Sequence, residues 1–211
     1  MTPRLVFVSG TGTGVGKTWW TTAVARELRA AGVRVAVRKP AQSSAPGEPR
    51  DADILAAATG DDPANVCPPH RSYDLAWAPP MAADELGLAP FGVRDLAAEL
   101  VWPPDPGGGL VEIGLVEGVG GPRSPIASDG DNVDFAREIQ PELVVLVADA
   151  GLGTINAVRL AAAAYDDFPL IVALNRFGND PLHTRNRDFL VTRADLDVVT
   201  TPSQLAARLT E

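Results

Sequence analysis

The chain has 211 residues, 45% hydrophobic and 21% charged, with a formal net charge of -9 and one cysteine, Cys67. That length suits one α/β domain with a full core, the negative balance argues against an electrostatic hold on nucleic acid, and one cysteine excludes an internal disulfide. Leu5–Val8 is too short for a secretory h-region and no stretch approaches a membrane span, so a soluble, cytoplasmic protein without a membrane partner is expected.

The first predicted strand, Leu5-Val6-Phe7-Val8, runs into Ser9-Gly10-Thr11-Gly12-Thr13-Gly14-Val15-Gly16-Lys17-Thr18. Glycines let backbone N–H groups converge on phosphate oxygens, the lysine adds a mobile positive charge, and the threonine hydroxyl can ligate Mg²⁺. The helix that follows aims its N-terminal dipole at the same anion. The strict spacing G-x-x-x-x-G-K-[ST] fails by one residue, because Thr11 stands at the first glycine and Gly10 lies one earlier. The dinucleotide pattern G-x-G-x-x-G fails at Val15. Thr13, Gly14, Val15, Gly16, Lys17, Thr18 and Trp19 are therefore the expected nucleotide-binding run, with Trp19 and Trp20 packing against the sheet or the nucleotide-side wall.

A helix is expected over Trp19–Ala31, closed by Gly32, then a strand over Val33–Val37. Lys39 follows that strand, and Pro40 fixes the geometry of its loop. Ligands of open α/β sheets bind beyond the carboxyl ends of strands, which brings Lys39 to the same edge as Lys17. After the polar loop 41–50 a helix begins near Asp51, with Asp51 or Asp53 able to cap it. Residues 61–90 read as irregular, with one helical turn at most, and Pro90–Leu100 as a helix ended by Trp102-Pro-Pro-Asp-Pro-Gly-Gly-Gly109.

Leu110–Val116 is strand-like and ends in Glu117-Gly118-Val119-Gly120-Gly121. An acid at the tip of a buried strand is where a second carboxylate reaches a phosphate-bound metal, and the glycines let backbone approach a ligand. Val133–Glu138 is a short helix; Asp129 and Asp131 lack the rest of a calcium loop. Leu143–Ala148 is a buried strand, followed by Gly151-Leu-Gly-Thr-Ile-Asn156 and an alanine-rich helix to Ala164. Pro169–Leu174 is another, ending at Asn175-Arg176, where the Asn175 amide can read a base edge or start a turn. Asn179–Glu211 is weakly patterned, with a strand near Val198-Val199 and a helix over Ser203–Leu209. His70 and His183 stand alone. The alternation predicts a doubly wound, mostly parallel α/β sheet of phosphate-loop NTPase type.

Gly10–Thr18, Lys39-Pro40-Ala-Gln-Ser43, Asp53, Val116–Gly121 and Gly151–Asn156 together resemble, in order and spacing, the ATP-dependent dethiobiotin synthetases, from residue 5 to about 176. The resemblance implies an enzyme that takes 7,8-diaminopelargonic acid, CO₂ and ATP, with Mg²⁺, and closes a ureido ring with release of ADP and phosphate. It implies Lys17 and Lys39 as catalytic, and Thr18, Asp53 and Glu117 as metal residues. The same likeness gives Thr13, Lys39, Ser43 and Asn156 to the substrate, and Asp53, Glu117, Gly118, Val119, Gly120, Asn175 and Arg176 to the nucleotide. The family is homodimeric, with the Asn156 segment holding the substrate carboxylate across the subunit interface. The chain departs from the family pattern at Gly12, Gly14 and Ser43-Ser44, and Thr201-Pro-Ser-Gln-Leu205 is a loose counterpart of its Leu-Gly-x-Ile-Pro segment. A ParA/MinD-like ATPase switch is the rival class. It is disfavoured because Gly12 stands where those proteins carry a second lysine.

Overall fold

The computed structural model describes residues 3–211. In chain order the elements are β1 (Arg4–Gly10), α1 (Lys17–Ala30), β2 (Val35–Arg38), β3 (Gln42–Ser43), α2 (Asp51–Thr59), α3 (Pro63–Val66), β4 (Ser72–Tyr73), α4 (Pro79–Glu85) and α5 (Val93–Ala98). There follow β5 (Ile113–Glu117), β6 (Pro125–Ala127), β7 (Gly130–Asp131), α6 (Asn132–Ile139), β8 (Leu143–Asp149), α7 (Thr154–Ala162), β9 (Leu170–Asn175), α8 (Pro181–Ala194), β10 (Asp197–Val199) and α9 (Pro202–Thr210).

Six strands form one sheet in the order β10-β9-β8-β1-β5-β2, and every pairing in it is parallel. Strands covered on both faces must be apolar throughout, and Leu143-Val-Val-Leu-Val-Ala148 is buried end to end. Alternate side chains divide between two cores. Val6 and Val8 face α1, α2 and α9 (Trp20, Leu28, Leu55, Leu205), whereas Phe7 meets Phe135 of α6 and Tyr165. Leu146 and Leu174 close the second face against α7 and α8 through Val158 and Leu190.

The central strand β1 lies between β5 and β8, so the chain reverses its direction of travel across the sheet there. That switch point opens the crevice in which α/β sheets bind ligands. Glu117, Asp149 and Asn175 end their strands at this edge, and Lys39 directly follows β2.

The fold departs from the sequence expectations at Trp19, in the proline-rich segment and between residues 179 and 211, among other places. Trp20 is 1% exposed and is the core tryptophan, while Trp19 stands 56% exposed, edge to face with Trp20. The proline-rich segment holds α3 and α4 rather than one turn at most, each begun by proline at its first positions. Between residues 179 and 211 stands an unexpected 14-residue helix, α8, begun by Asp180 and Pro181.

Candidate active site

The loop between β1 and α1 is shaped by two glycines in the left-handed region, Gly14 (φ 75°) and Gly16 (φ 101°). Its root is tied to β8 by the Thr11 N–H donating to the Val147 carbonyl at 2.9 Å. No side chain caps α1, which leaves its first N–H groups free to meet an anion. Lys17 donates to the carbonyls of Gly12 (3.0 Å) and Gly120 (2.8 Å), bridging this loop and the one after β5. Burial, and then the neighbouring Lys39 charge, pull Lys17 down to about 8.

Lys39 is 3% exposed and Glu117 fully buried. The Lys39 ammonium donates to Glu117 Oε1 at 2.7 Å and to the Gly118 carbonyl at 3.0 Å, and pairs with Asp51 Oδ2 at 2.9 Å. Burial alone would lower Lys39, but the two carboxylates outweigh it and hold the ammonium above its ordinary value. Burial likewise pushes Asp51 up, and Lys39 and the Thr18 hydroxyl more than reverse it, so Asp51 stays an anion. Thr18 lies 2.9 Å from both Asp51 Oδ1 and Glu117 Oε1. A hydroxyl has one proton, so one of these two contacts is always oxygen against carboxylate oxygen with no hydrogen between.

The acid at the site is therefore Asp51, and the expectation of Asp53 is corrected. Asp53 lies two residues further into α2 and is exposed. Two helical residues turn the side chain through about 200°, so only one of the two acids can face Thr18. Neither acid caps the helix; the Ala52 N–H is accepted by the Gln42 side chain at 2.9 Å.

Thr13, Gly14, Gly16, Lys17, Thr18, Lys39, Ser43, Val119 and Gly120 all line one cavity of about 580 Å³. Ser43 reaches it with its hydroxyl already donated to the Trp77 carbonyl, which joins the 41–50 loop to the opposite wall. Trp19 and Val15 are not part of the lining. Asn175 and Arg176 brace the phosphate loop: the Asn175 amide donates to the Val15 carbonyl at 2.8 Å, and Arg176 links Asp149 (2.6 Å) to the Gly14 carbonyl (3.0 Å). Asn156 is exposed on α7 and outside the cavity.

Sequence reasoning missed Asn132 and Thr21. Asn132 is fully buried at the start of α6 and organises the loop after β5, accepting from the Val119 N–H and donating to the carbonyls of Val119 and Gly121. Thr21 donates to Glu117 Oε2 at 2.6 Å. Its spacing of i+3 and i+4 from Thr18 and Lys17, on one helix face, was the available signal. Cys67 is buried, and burial pushes its thiol up to about 12, which fits an inert packing residue. No group of three or more His, Cys, Asp or Glu side chains gathers among the described residues, so a cation here would rest on two carboxylates and a hydroxyl. No helix among them is long and apolar enough to cross a membrane.

The AAA domain family matches residues 4–201. The chain is 41% identical over 169 residues to the ATP-dependent dethiobiotin synthetase of Anaeromyxobacter sp. (strain Fw109-5), covering 76% of this chain and 70% of that protein. It is 38% identical over 195 residues to the ATP-dependent dethiobiotin synthetase of Rhodococcus jostii (strain RHA1), covering 92% and 79%. Among solved structures it is similar to chloroplast FtsY from Physcomitrella patens, with a TM-score of 0.53 at 15% identity, over 96% of this chain and 61% of that one. At that identity the likeness shows a shared fold alone. The chain belongs to the ATP-dependent dethiobiotin synthetase family of AAA-domain proteins.

Proposed function

We propose that this chain makes dethiobiotin from 7,8-diaminopelargonic acid, CO₂ and ATP, with ADP and phosphate as the other products. The observation that carries the reading is Lys39, locked between Asp51 and Glu117 in the same cavity as the Lys17 phosphate loop. A carbamate oxygen attacking the γ-phosphorus brings several negative charges together, and two ammonium groups facing one cavity offset them. The attack breaks the bond to ADP and forms a carbamoyl phosphate; the second amine then attacks the carbonyl carbon and expels phosphate. Lys39 serves as a charge stabiliser and not as a base, because its carboxylate partners hold it protonated. Both nucleophiles belong to the substrate, so no histidine base is required. Thr13 and Ser43 border the diamine, and Asn175 and Arg176 hold the loop against the nucleotide.

The donor set suits Mg²⁺. Thr18, Asp51 and Glu117 present hard oxygens, and the contact between the Thr18 hydroxyl and a carboxylate oxygen with no proton between them is the kind of strain a divalent cation removes. These three residues would hold the ion, which would supply charge neutralisation of the phosphates. We further take the protein to act as a homodimer in the cytoplasm. The exposed Leu152, Asn156 and Leu160 of the α7 region support the dimer, and a lone buried cysteine supports the compartment.

With purified protein, phosphate release is expected only when diaminopelargonate, bicarbonate and Mg²⁺ are all present, together with a product of dethiobiotin mass. ATP turnover at the same rate without the amine overturns the reading in favour of an ATPase switch. Lys39→Ala is expected to abolish product while ADP still binds; an active variant removes Lys39 from the chemistry.

A further inference from the structure

Glu117 is fully buried, and both of its carboxylate oxygens are engaged from one helix: Thr18 meets Oε1 at 2.9 Å and Thr21, one turn on, meets Oε2 at 2.6 Å. We propose that Thr21 is a positioning residue that fixes the Glu117 carboxylate for the cation and nucleotide.

The ordinary account of a buried helical threonine is a bond back to the carbonyl four residues earlier, and the Lys17 carbonyl lies 2.9 Å from the Thr21 hydroxyl. The hydroxyl has one proton, and it cannot serve both acceptors. The shorter contact and the ionised acceptor favour Glu117. Thr21 is 1% exposed, beside the buried Trp20, Val24, Ala25 and Leu28 of the same helix, and is shut off from bulk water. Lys39 and Thr18 both act on Oε1, which leaves Thr21 as the one donor to Oε2 among the described residues. A buried carboxylate oxygen without a donor is costly, and the carboxylate would turn to find one. Turning it moves Oε1 away from Thr18 and Asp51, where the cation is proposed to sit.

This inference rests on the metal reading of Glu117, and the experiment separates the two. ADP is titrated into the full chain by calorimetry, once with excess Mg²⁺ and once with EDTA, for the wild type, Thr21→Val, Thr21→Ser and Thr21→Ala. Thr21→Val is expected to bind ADP in EDTA as the wild type does and to lose about tenfold of the tightening that Mg²⁺ confers, with Thr21→Ser restoring it. Thr21→Ala removes the donor without adding bulk and decides the matter if the valine variant does not fold. A wild type whose ADP affinity ignores Mg²⁺ overturns the metal reading and this inference with it. A donor-less variant coupled to Mg²⁺ as the wild type is, or one weakened equally in EDTA, overturns this inference alone.

Discussion

Gly16 holds φ at 101° at the mouth of α1, and a Cβ built there would lie 2.0 Å from the Asn175 amide nitrogen. An alanine at this position meets two separate costs: the left-handed backbone, and displacement of the side chain whose amide supports the Val15 carbonyl. Gly16→Ala is expected to weaken ADP binding by at least about fivefold, from strain of about 1–3 kcal/mol, with its far-ultraviolet circular dichroism unchanged. Asn175→Ala loses the brace without the clash and should weaken binding less. Wild-type affinity in Gly16→Ala would show that the loop does not cradle the phosphates. At this scale the sequence revealed the residue types but not which copy is used. Glu117 ends β5, Lys39 directly follows β2 and Lys17 opens the helix after β1, so their meeting at one crevice could be read ahead. Asp51 and Asp53 share a helical turn, and the choice between them depends on where α2 begins. That start is set by Gln42, a tertiary contact ten residues away.

The second strand places two adjacent basic residues in different tasks. Lys39 turns into the site, while Arg38, 2% exposed, donates to Asp61 at 2.9 Å and to the Val101 carbonyl at 2.7 Å and lies over the Trp102 ring. β2 is the last strand of the sheet. Trp102 lies over Gly114 of the neighbouring strand β5, and Arg29 of α1 pairs with Asp105 at 2.6 Å. Arg38 already has one buried nitrogen, Nη2, without a partner among the described residues. Asp61→Ala would leave the buried guanidinium charge without its carboxylate, though Nε and Nη1 keep the Val101 and Val37 carbonyls, and is expected to cost about 3 kcal/mol in urea unfolding, with Arg38→Met in the same chain recovering most of it. Burial raises Asp61, but Asn65 and Arg38 overcome it and hold the carboxyl below its ordinary value. A depressed carboxylate stabilises above its unfolded pKa, so the contribution persists from roughly pH 4 upward and is lost as acid takes the pH below that. The gap between wild type and Asp61→Ala should therefore close in acid; a gap constant from pH 7 into that range would show that Asp61 acts by shape alone. The helix missed by pattern, α8, teaches the complementary point. Only Asn186 and Leu190 of α8 are buried, and Asn186 donates to the carbonyls of Ala150 and Gly151. A helix held by one leucine and an amide has little apolar periodicity to read. Its cap, Asp180 before Pro181, was the legible signal.

For the whole molecule, Lys17, Thr18, Lys39 and Asp51 gather on one cavity at the loop after β1, whereas Asn156 lies outside it. The residue that the family likeness gives to the substrate carboxylate, Asn156, points out of the chain with Leu160 at 69% exposure, and Leu152 stands 92% exposed at the foot of the same helix. Burying a leucine side chain contributes about 1.5–3 kcal/mol, and a two-fold axis counts each residue twice, so these two positions would give about 6–12 kcal/mol before the cost of association. Association itself takes about 4–15 kcal/mol, so the leucines are large enough to decide whether a dimer forms. The wild type is expected to sediment at twice the 22.1 kDa chain mass, and the pair Leu152→Asp with Leu160→Asp at the single-chain mass. In that monomer ADP affinity should persist, because Lys17, Thr18, Asp51 and Glu117 all come from one chain. Ring closure should fall steeply, with the loss concentrated in the KM for diaminopelargonate rather than for ATP. A monomeric variant with an unchanged diamine KM would place the carboxylate pocket inside one chain, and a variant that stays dimeric would move the interface off α7.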